Sequence, residues 1–377
     1  MRSAFLCALF AFPAFAQSPL LIDTHNDITS RTVEGYDIGK AANDGHTNLT
    51  ALKEGGVSAQ FFAVYVSSGY VNGNHSARRT LEMIDTVRHD IIGRYPNDFV
   101  LATTADDIER IHKQGKIAAL MGIEGGHAIE DSLRLLRDYY ALGIRYMTLT
   151  HTNTNNWADS SGDIDKPGVA HHNGLTDFGK QVVHEMNRLG MIVDISHVAD
   201  KTFWDALEVS SAPIFASHSS CRALTNARRN MTDEMIVALA KKGGVVQVNF
   251  SCGFISQKSA DADKMFEAKP HAKLDEKDPA AIADYMKEYQ KEVPAATLAD
   301  VVAHIDHIVK IAGIDAVGIG SDFDGITCAP QGLEDVSKFP NLTKALKEKG
   351  YSDADIRKIY GENTLRLMRA VEKSSGR

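Results

Sequence analysis

The histidines and carboxylates of this chain fall where short apolar runs end. Ile22-Asp23-Thr24-His25-Asn26-Asp27 closes the first run with His25 and Asp27 two residues apart. On an extended segment such side chains point the same way, so one cation can take both. Glu124 closes another run within Gly122-Ile123-Glu124-Gly125-Gly126, whose glycines let the backbone approach a neighbour closely. His151, His197 and His218 each end a run of their own, in Leu149-Thr150-His151-Thr152, Asp194-Ile195-Ser196-His197 and Phe215-Ala216-Ser217-His218. Asp322 and Asp324 end the last, in Gly320-Ser321-Asp322-Phe323-Asp324-Gly325. Any one of these has an ordinary explanation as a cap, a hydrogen-bonding group or a turn; six runs ending this way point to a metal site. Imidazole and carboxylate without thiolate suit zinc, and equally manganese, iron or cobalt. The set exceeds the roughly three protein ligands of a single catalytic zinc. It therefore suggests a pair of ions about 3.5–4 Å apart, with Glu124 as the shared carboxylate and a bridging water ionised to hydroxide near neutral pH.

Meeting in one place requires elements that deliver all these residues to one face. Eight strand-like runs occur, at Leu20–Asp23, Ala59–Val66, Ile117–Ile123, Tyr146–Thr150, Met191–Ile195, Ile214–Ala216, Val245–Phe250 and Val317–Ile319. Amphipathic stretches lie between most of them: Arg79–Tyr95, Ala105–Lys113, Ile129–Leu142, Thr176–Leu189, Lys201–Val209, Thr232–Lys242 and Ala296–Ala312. Near-continuous apolar strands alternating with helices predict a parallel sheet covered by helices. An open doubly wound sheet reads similarly, but a (β/α)8 TIM-type barrel puts all strand C-termini on one face, which turns the dispersed candidates into one pocket. Gly35–Thr50 reads as a long loop, and the charged stretch Ser256–Pro294 reads as an insertion after strand 7 with a helical centre at Ala280–Glu292.

Residues 1–16 read as a signal peptide: Arg2, an apolar run from Ala4 to Phe15, and Ala14-Phe15-Ala16 before Gln17. The remaining 17–377 is expected to be one metallohydrolase domain, exported to the periplasm or secreted, with a polar C-terminus that carries no lipid-anchor signal. Losing Arg2 leaves 40 of the 41 basic residues against 49 acidic ones, without a basic stripe, which excludes nucleic acid as a partner class. Beyond the leader stand Cys221, Cys252 and Cys328, an odd number without C-x-x-C spacing, so one disulfide at most forms and cysteine-ligated zinc is excluded.

Beyond these residue-level arguments, the sequence resembles the membrane dipeptidase (renal dipeptidase, or dehydropeptidase) family of the amidohydrolase superfamily, from about Leu21 to Met368. The likeness rests on the motifs quoted above, with Asn155, Ala216-Ser217-His218-Ser219-Ser220, Arg228-Arg229-Asn230 and Gly361-Glu362-Asn363-x-x-Arg366. The resemblance implies two Zn2+ per chain, one held by His25, Asp27 and Glu124, the other by Glu124, His197 and His218. It implies that His151 binds the scissile carbonyl oxygen, that Arg229 clamps the C-terminal carboxylate of a dipeptide, and that Asp322 handles the substrate amine and shuttles a proton. It further suggests tolerance of a C-terminal D-residue and a homodimer. No lysine stands at Thr150-His151-Thr152, where carboxylated-lysine relatives carry one, which speaks against a phosphotriesterase-like or dihydroorotase-like reading. The anchor implied by "membrane" does not transfer, and a Cys221–Cys252 pairing stays open.

Other histidines carry less. His171 and His172 are expected to cap a loop, His304 and His307 to sit on a solvated helix face, and Trp157 and Tyr65 either pack or contact substrate. Two rivals to a dipeptidase remain at this level: a hydrolase of another small amide or lactone, and an exported metal- or solute-binding protein without catalysis.

Overall fold

The computed structural model describes residues 19–40, 45–269 and 279–375; the expected leader, residues 1–16, lies outside the described residues. Nine strands form one sheet: β1 (Leu21–Asn26), β2 (Val57–Tyr65), β3 (Phe99–Leu101), β4 (Ile117–Glu124), β5 (Ile144–Thr148), β6 (Ile192–Asp194), β7 (Phe215–Ser219), β8 (Val245–Val248) and β9 (Val317–Ile319). The path runs β1-β2-β4-β5-β6-β7-β8-β9, and every pairing along it is parallel. The ends meet just past the strands, where Asp27 N donates to Phe323 O at 2.8 Å and Asp322 N to His25 O at 3.1 Å. The sheet is thus an eight-stranded barrel with helices between its strands, and the open-sheet alternative does not hold.

Strand alternation divides the core. Phe61 of β2, Ala118 and Leu120 of β4, Tyr146 of β5 and Phe215 of β7 belong to one cluster inside the barrel. Their neighbours Phe62, Ala119, Met121, Met147 and Ala216 pack outward against the helices. Opposite facing at successive positions is the period of an extended chain, and it also turns Gly122 and Glu124 inward beside Leu120.

The departures from the sequence reading are local. β3 has no counterpart among the expected strands; three residues long, it pairs with Ile117–Ala119 of β4, below the point where β5 joins at Met121. The expected helix Arg79–Tyr95 is an α-helix over Ser76–Asp85 continued by a π-helical segment, Thr86–Gly93. The expected Ile129–Leu142 helix starts only at Leu133, because the Ser132 hydroxyl caps it and a separate 3-10 turn occupies Gly126–Ile129. The stretch between β8 and the helix Leu298–Ala312 carries helices Gln257–Glu267 and Pro279–Glu292, which share a small core of Phe266, Tyr289 and Val293.

The disulfide joins Cys252 to Cys328, not Cys221 to Cys252, and ties the segment after β8 to the one after β9. Cys221 is a buried thiol whose pKa burial raises, and its sulfur lies 3.6 Å from the carbonyl of His304. His304 is not solvated either. It is fully buried, accepting from Cys221 N at Nδ1 (3.0 Å) and lying 3.1 Å from Ile255 O at Nε2. His307 pairs with Asp233 at 2.8 Å. The helix Leu298–Ala312 packs under the segment after β8, so its histidines serve structure.

Candidate metal centre

Parallel strands deliver the candidates to one end of the barrel. His25 lies in β1 with Asp27 just beyond it, Glu124 is the last residue of β4, and His218 lies within β7. His151, His197 and Asp322 each follow a strand by three residues. His197, Asp322 and Asp324 adopt φ of +67°, +65° and +64°, a left-handed conformation uncommon for residues with a Cβ. It turns the chain sharply at the strand end.

Glu124 is the hub. Its Oε2 lies 3.5 Å from His25 Nε2, while its Oε1 lies 2.9 Å from His197 Nε2, 3.3 Å from His218 Nε2 and 3.7 Å from His151 Nε2. One carboxylate thus faces His25 with one oxygen and His197, His218 and His151 with the other. On the Oε2 side His25 Nε2 approaches Asp27 Oδ2 at 3.2 Å and Asp322 Oδ1 at 4.0 Å. Among the described residues, three overlapping sets could hold an ion: His25, Glu124 and His218; Glu124, His151 and His197; His25, Asp27 and Asp322. Asp324 does not join them. It accepts from His46 N at 3.0 Å, lies 3.5 Å from Arg31, and fastens the loop beyond β1.

The site fits divalent cations by its own deficits. His25 Nε2 and Asp27 Oδ2 are buried and face each other at 3.2 Å, and neither makes a well-aligned hydrogen bond among the described residues. His197 Nε2 and His218 Nε2 face each other at 2.9 Å. Burial, reinforced by the Arg229 charge, holds both imidazoles well below the usual histidine range, so each is neutral and has one ring-nitrogen lone pair to offer an ion. Burial pushes Asp322 well above the usual carboxylate range, and Asp27 and Glu124 add to this. Gly325 leaves no space beside them: a Cβ there would come within 2.4 Å of Asp27 Oδ2 and 2.6 Å of Asp322 Oδ1. Converging lone pairs and crowded carboxylates are costly without a cation and favourable around one.

Support behind these groups comes largely from residues the sequence reading passed over. Buried Asp194 accepts from Ser217 Oγ at 2.6 Å and from Ser196 and Ser217 backbone N–H groups, and Ser217 Oγ lies 2.8 Å from His218 Nδ1. Asp23 accepts from Ser321 N and Oγ, which pins the Gly320-Ser321-Asp322 turn to β1; burial raises Asp23 to about 6 against those bonds. Asn249, after β8, donates to Asp322 Oδ2 at 2.8 Å and leaves Oδ1 facing the site. A search for His, Asp or Glu at strand ends could not find an Asn, although its place after Val248 was a signal of the same kind.

The two adjacent arginines differ sharply. Arg228 is exposed and pairs with Asp165 on the surface. Half-buried Arg229 donates to Ser219 Oγ (2.6 Å) and His218 O (2.7 Å), and burial lowers it to about 10, opposed by Asp322, Asp194 and Glu124. Tyr65 stands edge-on to His151 with ring centroids 4.8 Å apart. Trp157 is wholly buried and packs on Phe178, and His172 caps its loop as expected through Asp159 and Asn155.

A family model described as membrane dipeptidase (peptidase family M19) matches residues 12–377. A protein of Schizosaccharomyces pombe named as an uncharacterised dipeptidase is 36% identical, over 96% of this chain and 82% of its own length. The crystal structure of the probable dipeptidase PvdM of Pseudomonas aeruginosa has a TM-score of 0.80 at 27% identity, covering 95% of this chain and 96% of that one. A metallopeptidase of Rhodobacter sphaeroides, liganded with a phosphinate mimic of the dipeptide L-Ala-D-Ala, has a TM-score of 0.76 at 26% identity, over 93% and 99%. No helix among the described residues is long and apolar enough to cross a membrane. On sequence, barrel and clustered imidazoles alike, the chain belongs to the membrane dipeptidase family, the M19 metallopeptidases.

Proposed function

We propose that this metallo-dipeptidase works with two zinc ions per chain, one held by His25, Asp27 and Glu124, the other by Glu124, His197 and His218. The observation that carries the reading is the two-faced placement of Glu124, whose oxygens address His25 on one side and His197 and His218 on the other. When bound, such a pair supplies Lewis acidity and lowers the pKa of water at the site. The chain's own residues do the rest. His151, kept neutral by burial, donates a hydrogen bond to the scissile carbonyl oxygen as negative charge develops there. Asp322 takes on Oδ1 the proton that the attacking water gives up and delivers it to the leaving nitrogen as the C–N bond breaks, while Asn249 keeps its other oxygen fixed. Arg229, anchored through Ser219 and the His218 carbonyl, offers its remaining donors to the free C-terminal carboxylate of the dipeptide.

The substrate is then a dipeptide with a free C-terminus, and the L-Ala-D-Ala mimic on the Rhodobacter sphaeroides relative supports acceptance of a C-terminal D-residue. We place the enzyme outside the cytoplasm after removal of residues 1–16, a reading the Cys252–Cys328 disulfide supports, since such bonds persist in oxidising compartments. The test is hydrolysis of L-Ala-L-Ala, L-Ala-D-Ala and their C-terminal amides by zinc-loaded protein. Cleavage confined to the free acids is the expected result. Turnover of a lactone or unrelated amide with no dipeptide cleavage would instead favour another hydrolase on the same site.

A further inference from the structure

Tyr146 of β5 lies inside the barrel, fully buried among Phe61 and Phe215, at ring-centroid distances of 5.4 and 5.3 Å. Its hydroxyl donates to the carbonyl of Thr24 at 3.1 Å and sits 2.8 Å from His25 Nδ1. A carbonyl can only accept, and a phenol has one proton. When both contacts are made, that proton goes to Thr24, so His25 Nδ1 must carry its own hydrogen and donate it to the phenol oxygen. In the neutral imidazole that an ion requires, Nε2 is then left as the lone pair, and it is the His25 atom that faces Asp27 and Glu124. Gly122, which pairs with Tyr146 in the β4–β5 ladder, makes the room: a Cβ there would lie 1.9 Å from the ring. His218 is backed differently, by Ser217 and Asp194.

We propose that Tyr146 is a positioning residue that fixes the tautomer and ring orientation of His25 for the ion on the Asp27 side, and that Gly122 exists to admit its ring. The proposal rests on the two-ion reading above, and its test separates the two. Zinc is titrated into the metal-free chain against a competing chelator, for the parent and for Tyr146→Phe. The parent binds two ions. The variant, which keeps the ring and loses only the hydroxyl, binds one of them ten- to a hundredfold more weakly and the other as before, the usual cost of losing a group behind a metal ligand. Gly122→Ala, whose Cβ would meet the ring whether residue 146 is Tyr or Phe, weakens the same ion. A merely structural role would weaken both ions together and lower the unfolding temperature of the metal-free chain. Should the variants not fold, nuclear magnetic resonance of the zinc-loaded parent still decides: the His25 Nδ1 proton should appear as a slowly exchanging imidazole resonance. Unchanged affinity for both ions in Tyr146→Phe, or a parent His25 without an Nδ1 proton, overturns the proposal; a parent that binds fewer than two ions overturns the two-ion reading instead.

Discussion

Glu124 touches four imidazoles through its two oxygens, so replacing it disturbs both halves of the centre at once. Glu124→Gln keeps the shape and removes the charge. Changes behind a ligand typically cost 10–100-fold, so loss of this carboxylate should lower dipeptide turnover by at least about a hundredfold, with reduced metal content. Near-normal turnover with full metal content would remove Glu124 from the bridging role. Arg229→Ala should cost about 1.5–3 kcal/mol of charged hydrogen bonding in kcat/KM for free dipeptides, roughly ten- to hundredfold, and little for amidated ones. Arg228→Ala, on the surface, serves as the comparison and should change neither. Equal losses on both substrate types would count against the clamp. At this scale the charged members of the candidate site were legible as a cluster, because His, Asp and Glu stand out at strand ends. Tyr146 and Asn249 were not, since their roles depend on what lies across the barrel and around Asp322.

Elements were legible in proportion to their length and pattern. The helix Ala105–Lys113 has the bounds its amphipathic pattern predicts, with Thr104 and Asp107 forming a capping box at its start. β3 escaped notice because three residues carry no period and its pairing is decided by the open edge of β4. The π-helical segment Thr86–Gly93 escaped because it continues the helix Ser76–Asp85 without a break and no Gly or Pro marks the change of pitch where it begins. Sequence spacing could not choose among cysteine pairings; only the adjacency of the segments after β8 and β9 does so. That bond closes a separation of 76 residues, for which chain entropy suggests about 4.5 kcal/mol of stabilisation, while such bonds typically deliver about 2–4 kcal/mol. The double variant Cys252→Ser, Cys328→Ser should therefore lose about 2–4 kcal/mol of unfolding free energy and unfold at a lower denaturant midpoint, measured by equilibrium unfolding. An unchanged midpoint would show that the helices around Phe266 and Tyr289 hold the region without it.

For the whole molecule, closure is what makes the site. Only when β1 and β9 come together, through Asp27 with Phe323 and Asp322 with His25, do the first and last motifs of the chain meet. An open sheet built from the same runs would leave Asp322 far from His25, so it was the chemistry of the strand ends, more than their apolar pattern, that made the barrel legible. Export belongs to this scale too: expressed with its leader, the protein should be recovered outside the cytoplasm with Gln17 as its first residue, read by N-terminal sequencing, and an intact Met1 in the active protein would contradict it. The central claim, two ions in one barrel mouth acting on a dipeptide, is tested most directly by elemental analysis of the purified protein alongside its turnover of L-Ala-D-Ala. Close to two zinc ions per chain, with activity lost on chelation and regained in step with the second ion, is the predicted result. Fewer than one ion per chain after zinc reconstitution, in protein that still cleaves the dipeptide, would contradict it.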